Sequence, residues 1–262
     1  MRKLVGEDEL SKAAEALGKA QPHESALQHV TGAAHYVDDT PLPRDVLYVA
    51  TGQSPLAAGR IAEMNLAEVK RSPGVVDCLI AADVPGSNDV SPVYTGDLLF
   101  ANGRVDFHRQ TLMAVAASSQ QLAEAAASRF EVVIEPEAPR LTVDQALKAD
   151  DFVLPTRVFR MGEPRSAIAS AEHQLEGRLH IRGQEHFYLE GQVAVAVPTE
   201  TGGVRVTTSS QHPTEVQKLI ADVLAVPINE VQVTVRRMGG AFGGKETQAA
   251  PLACIAALFA VR

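Results

Sequence analysis

The stretch Arg236-Arg237-Met238-Gly239-Gly240-Ala241-Phe242-Gly243-Gly244-Lys245-Glu246-Thr247 decides how the rest of the chain is read. Just ahead of its glycines, Val231, Val233 and Val235 alternate with Gln232, Thr234 and Arg236, the period-two pattern of a strand with one buried face. That strand therefore runs into a glycine loop. Residues without a Cβ let the backbone take positive φ and bring N–H groups close to a ligand. Beyond Glu246 the run from Ala249 to Ala260 is apolar and helix-permissive, so the loop is expected to open a helix whose first amides favour anionic groups. A loop that only turns the chain is the competing reading of any glycine cluster. The bulky Phe242 among the glycines and the acid after the lysine weigh against it.

Two familiar phosphate-binding patterns fail here. Gly239 to Lys245 has the spacing of a P-loop, but Glu246 stands where the magnesium-binding hydroxyl belongs, and Thr247 comes one residue late. A carboxylate at that place repels a triphosphate. The dinucleotide fingerprint Gly-x-Gly-x-x-Gly is absent from the chain.

Arg237 to Glu246 closely resembles the molybdopterin-site loop of the xanthine dehydrogenase and aldehyde oxidase family. Two further stretches match in order and spacing, Gln184-Glu185-His186-Phe187-Tyr188-Leu189-Glu190 and Ser209-Ser210-Gln211. The resemblance runs from about Gly18 to the C-terminus and is to the amino-terminal part of a bacterial molybdopterin-binding large subunit. It implies an α+β fold, an α/β-hammerhead domain followed by the first part of the molybdopterin-binding mixed α/β domain. By the same resemblance, Gln211 and the backbone at Phe242 contact the oxo ligand of molybdenum, and the amides of Gly239, Gly240 and Gly243 meet the pterin. The protein need not ligate the metal with side chains, because the dithiolene of the cofactor does so.

Glu246 is implied as a contact to purine nitrogens, since family members acting on aldehydes tend to carry an apolar residue there. A first-turn glutamate answering the helix dipole is its blander reading. Glu185 and Glu190 are read as structural support. The base, the substrate arginine and the aromatics of the family lie in later segments, so the chain alone is expected to be inactive. The implied partners are a purine (xanthine, hypoxanthine) and, within a hetero-oligomer, a small subunit carrying iron–sulfur clusters and FAD. An aldehyde-oxidising hydroxylase and a non-catalytic assembly or anion-binding module are the alternatives.

Composition agrees with a globular protein and excludes several classes. The 262 residues are 45% hydrophobic, enough for ordinary cores in two domains, and the net charge of −8 is dispersed, which argues against nucleic acid as a partner. The start of the chain turns acidic before a signal-peptide core could form, and no apolar run is long enough to span a bilayer, so the cytoplasm is the expected compartment. Cys78 and Cys254, far apart, make no disulfide framework or cluster ligand set, and the eight histidines show no His-Glu-x-x-His spacing.

Residues 1–20 read as an extension forming a short helix or frayed terminus, 21–146 as the hammerhead unit, 147–176 as a linker and 177–262 as the start of the cofactor-binding unit. Within the first unit, strands are expected at 45–51, 75–81, 112–117 and 130–134, with helices at 65–71 and 120–128, the latter capped by Ser118 and Gln121. Within the second, Val193 to Val206 reads as a hairpin turning at Pro198 to Gly203. Pro213 opens a helix with Val216, Leu219, Ile220, Val223 and Leu224 on one face. A strand–helix–strand unit would bring Gln211 and the glycine loop to one edge of a sheet, where open sheets hold ligands.

Overall fold

The computed structural model describes residues 18–262, so the expected terminal helix before residue 18 lies outside the described residues. In chain order the elements begin with α1 (Ala26–Thr31), β1 (Tyr48–Gln53), β2 (Gly59–Asn65), α2 (Ala67–Lys70) and β3 (Val75–Ile80). They continue through β4 (Arg104–Val105), β5 (Thr111–Ala117), α3 (Gln120–Ala127) and β6 (Glu131–Pro136). These strands form two antiparallel sheets, ordered β1-β5-β3 and β4-β2-β6.

β5 is central, and its near-continuous apolar sequence reflects burial on both faces. Met113 and Val115 pack with Val69, Cys78 and Ala126, whereas Ala114 joins Leu79 and Phe100 on the opposite side. β2 was not foreseen. Its pairing with β6 slips between Ile61 and Glu63, and that bulge breaks the alternation by which a strand is recognised. The cap of α3 is Ser119, whose hydroxyl accepts from the Leu122 N–H at 3.3 Å. The N–H of the expected cap, Ser118, donates to the Gly74 carbonyl.

Two short helices, α4 (Val143–Lys148) and α5 (Pro164–Ala169), follow, and every residue from 147 to 187 is exposed. The last elements are β7 (Ala194–Pro198), β8 (Val204–Thr208), α6 (Pro213–Leu224), β9 (Val231–Thr234) and α7 (Ala250–Val261). β7 and β8 make an antiparallel hairpin, and β8 pairs parallel with β9 through the α6 crossover. Pro213 takes the first turn of α6, where its missing N–H costs nothing, and the five apolar residues expected to share a face are all buried. Each contributes about 1.5–3 kcal/mol of transfer free energy. The helix ends at Ala225, left-handed at φ 54°, two residues before the Pro227 expected to stop it. Among the described residues no helix is long and apolar enough to cross a membrane.

The two halves share one core. Leu79, Val90, Leu99, Phe100 and Ala114 pack into the same cluster as Val204, Ile220, Val223, Cys254 and Leu258. The N–H groups of Gly86 and Ser87 donate to the carbonyls of Val223 and Asp222, both at 2.9 Å, which satisfies open carbonyls at the end of α6. A Cβ at Gly86 would lie 2.0 Å from the Asp222 oxygen. Gly86→Ala is therefore expected to destabilise the chain by about 1–3 kcal/mol, the usual cost of overpacking, read as a lower urea midpoint.

Candidate functional site

Because β8 and β9 run parallel, with Thr207 beside Thr234, their C-terminal ends reach the same edge of the sheet. Gln211 follows the first and the glycine loop follows the second. The Gln211 N–H donates to the Lys245 carbonyl at 2.9 Å, and its Oε1 accepts from the N–H groups of Gly243 at 3.0 Å and Lys245 at 3.4 Å. Two backbone donors fix the side-chain oxygen inward. The NH2 of the same amide is left with no partner among the described residues.

The loop itself turns on positive φ at Gly240 (91°), Phe242 (50°) and Gly243 (88°). Positive φ at a phenylalanine costs about 1–3 kcal/mol, and such strain concentrates at ligand sites. Gly240, Ala241 and Phe242 present three successive N–H groups without a partner among the described residues. Successive amides in alternating backbone conformations form a concave nest for anionic or oxygen-bearing groups.

Not every glycine faces outward. The Gly239 N–H donates to Glu190 at 2.9 Å, and the Gly243 N–H is held by Gln211. The expectation that Gly239, Gly240 and Gly243 all offer amides to a ligand therefore narrows to Gly240, with Ala241 and Phe242 beside it. A Cβ at Gly239 would sit 2.6 Å from Glu190 Cβ, so that position is glycine for packing.

Under the loop lies a buried ionic cluster. Glu190 Oε1 accepts from the Val37 N–H at 3.2 Å. Its Oε2 accepts from Ser209 Oγ at 2.6 Å, from Gly239 N–H and from Lys245 Nζ at 3.3 Å. Lys245 Nζ also donates to Ser209 Oγ at 2.7 Å and sits 4.7 Å from the centre of the Tyr188 ring. The lysine side chain is 0% exposed and that of Glu190 4%. Burial pushes the Glu190 carboxyl upward, but the hydrogen bonds from Ser209, Gly239 and Val37 and the Lys245 charge outweigh it and hold the carboxyl below its usual range.

Glu190 thus supports the site as expected. Glu185 is exposed and makes no hydrogen bond or ion pair among the described residues, so the support assigned to it is not found. Lys245 went unread because lysine is ordinarily a surface residue; its place between glycine and an acid was the available signal. Gln192, also unforeseen, donates through Nε2 to the Gly244 carbonyl at 3.0 Å and to the Tyr188 hydroxyl at 3.1 Å.

Glu246 is exposed, with no ion-pair partner among the described residues. The helix after the loop does not begin near it. Turns run to Ala249, and α7 starts at Ala250 with Pro251 in its first turn. Glu246 is therefore not a first-turn helix residue, and the helix expected over the apolar run from Ala249 to Ala260 is found at Ala250–Val261.

The donor set decides which ligand fits. Three free amides, a free carboxamide NH2 and an open loop surface, where a Cβ at Gly243 would meet nothing within 4 Å, suit an oxygen-bearing or anionic group. Among the described residues no cluster of three or more His, Cys, Asp or Glu is placed around a cation.

Comparison with known proteins matches residues 31–138 to the aldehyde oxidase and xanthine dehydrogenase a/b hammerhead domain. Residues 149–262 match the molybdopterin cofactor-binding domain. The chain belongs to the aldehyde oxidase and xanthine dehydrogenase family. The chain is 37% identical over 246 residues to aldehyde oxidase 4 of Cavia porcellus, covering 93% of the chain and 18% of that protein. It is 36% identical over 249 residues to the xanthine dehydrogenase of Emericella nidulans, covering 94% and 18%. It spans less than a fifth of the length of these relatives. The aldehyde oxidoreductase of Desulfovibrio gigas shares the fold, with a TM-score of 0.79 at 24% identity over 91% of this chain and 29% of that one. The α+β architecture of a hammerhead domain with a molybdopterin-binding domain is thus that of the hydroxylase family.

Proposed function

We propose that this chain supplies the cofactor cradle and one substrate contact of a molybdenum hydroxylase acting on purines such as xanthine and hypoxanthine. The molybdenum cofactor, when bound, supplies the two-electron oxidation that inserts a water-derived oxygen at an electron-poor carbon, with electrons leaving through iron–sulfur clusters and FAD on a partner small subunit. Gln211 NH2 and the amides of Gly240, Ala241 and Phe242 would hold the oxygen-bearing end of the cofactor. The carboxamide needs no reorganisation to do so, because the N–H groups of Gly243 and Lys245 already hold its Oε1. Glu246 would accept a hydrogen bond from a purine ring N–H and orient the heterocycle.

The observation that carries the purine reading is the free, exposed carboxylate of Glu246 one residue beyond an amide bonded to Gln211. Its test is turnover of xanthine and of an aromatic aldehyde by the intact complex, with Glu246→Val. A charge-assisted hydrogen bond of about 1.5–3 kcal/mol predicts a fall of roughly 10- to 100-fold in kcat/KM for xanthine, with the aldehyde unaffected. Equal losses on both substrates would count against a purine contact. The relatives do not choose between substrates, because an aldehyde oxidase and a xanthine dehydrogenase match to within one per cent identity. Aldehyde oxidation is accordingly the second reading, and wild-type preference for the aldehyde would establish it.

A further inference from the structure

We propose that the buried Glu190–Lys245 pair is the positioning element of the cradle, gripping the glycine loop at both ends and setting where Gln211 and the three free amides point. The loop that displays Gly240, Ala241 and Phe242 begins at Gly239 and ends at Lys245. Both ends converge on one oxygen, Glu190 Oε2, at 2.9 Å from the Gly239 nitrogen and 3.3 Å from Lys245 Nζ. The same oxygen accepts from Ser209, two residues before Gln211, at 2.6 Å. One carboxylate therefore ties together the strand end that carries Gln211 and the loop that carries the amides.

Lys245 transmits that grip to Gln211 through its own backbone. Its carbonyl accepts the Gln211 N–H at 2.9 Å and the Ser210 hydroxyl at 3.2 Å, and its N–H reaches Gln211 Oε1. With Nζ held by Glu190, Ser209 and the Tyr188 ring, the lysine side chain has no freedom to let its backbone shift. An uncharged loop could make the same turns, yet it would lack an anchor reaching inward from its last residue. The function of the pair is geometric. Neither group touches the open side of the loop, so these are positioning residues and not catalytic ones.

This inference rests on the reading of the cradle as a molybdenum-cofactor site, and its test separates the two. Lys245→Met and Glu190→Gln, which keep volume and remove one charge each, are compared with wild type in the molybdenum-containing complex. kcat per bound molybdenum is measured on xanthine and on an aromatic aldehyde, and amide hydrogen exchange is followed on samples freed of cofactor. Lost support of a site typically costs about 10- to 100-fold. We expect kcat per molybdenum to fall by that factor on both substrates with KM little changed. Exchange at Gln211 and Gly243 should speed about tenfold beyond any change in β8 and α6, whose protection follows global stability.

A variant with wild-type kcat per molybdenum, or with exchange unchanged or accelerated evenly through the domain, would overturn the proposal and leave the pair a fold-stabilising feature only. If either single variant does not fold, the Glu190→Gln/Lys245→Met double variant, with no uncompensated charge, is read by the same criteria. A wild-type complex devoid of molybdenum would contradict the functional reading itself. A loaded wild type with unaltered variants overturns the positioning alone.

Discussion

Replacing Glu190 with alanine is expected to cost about 3–5 kcal/mol of folding stability, the loss typical when one partner of a buried ion pair is removed. Lys245 would remain fully buried with its ammonium facing only Ser209 and the Tyr188 ring, and the Val37 and Gly239 amides would lose their acceptor. Urea unfolding measures this directly. The pH dependence follows from the depressed carboxyl of Glu190. A group whose folded value lies below its unfolded value, about 4.3 for glutamate, stabilises above that value and loses the contribution as pH falls through its folded value. The difference in melting temperature between wild type and Glu190→Gln should be full at neutral pH, persist to below pH 5 and shrink only in stronger acid. A difference independent of pH would contradict an ionised Glu190.

The second large effect concerns Gln211. Gln211→Glu keeps an oxygen to accept from Gly243 and Lys245 but replaces the free NH2 donor with a carboxylate oxygen. Folding should change by no more than about 0.5 kcal/mol, since the residue is exposed. Turnover should drop about 100- to 1,000-fold, the usual cost of losing a preorganised donor at a developing charge. Comparable activity in the variant would mean that the NH2 faces nothing of consequence.

What the sequence made legible was the periodic part of the molecule and the residues carrying the loop motif. Alternating valines marked β9, Pro213 and the apolar spacing marked α6, and the strand–helix–strand order placed Gln211 and the loop at one edge. What escaped depends on pairing at a distance. The bulge that disguises β2 exists only through its register with β6, and the burial of Lys245 follows from a carboxylate 55 positions earlier in the chain. The sorting of glycine amides into structural and free ones required the same knowledge, because Gly239 and Gly240 look alike until Glu190 is in place. The apolar run from Ala249, by contrast, marked α7 to within one residue, with Pro251 in its first turn.

The most direct test of the cradle is a crystal structure of the molybdenum-loaded complex, measured at one place. Gln211 Nε2 is expected about 2.7–3.2 Å from an oxygen on the metal, with amides of Gly240 to Phe242 turned to the same group. A cofactor lying at more than twice that distance from Gln211, or on the face of the sheet away from Phe242, would contradict it.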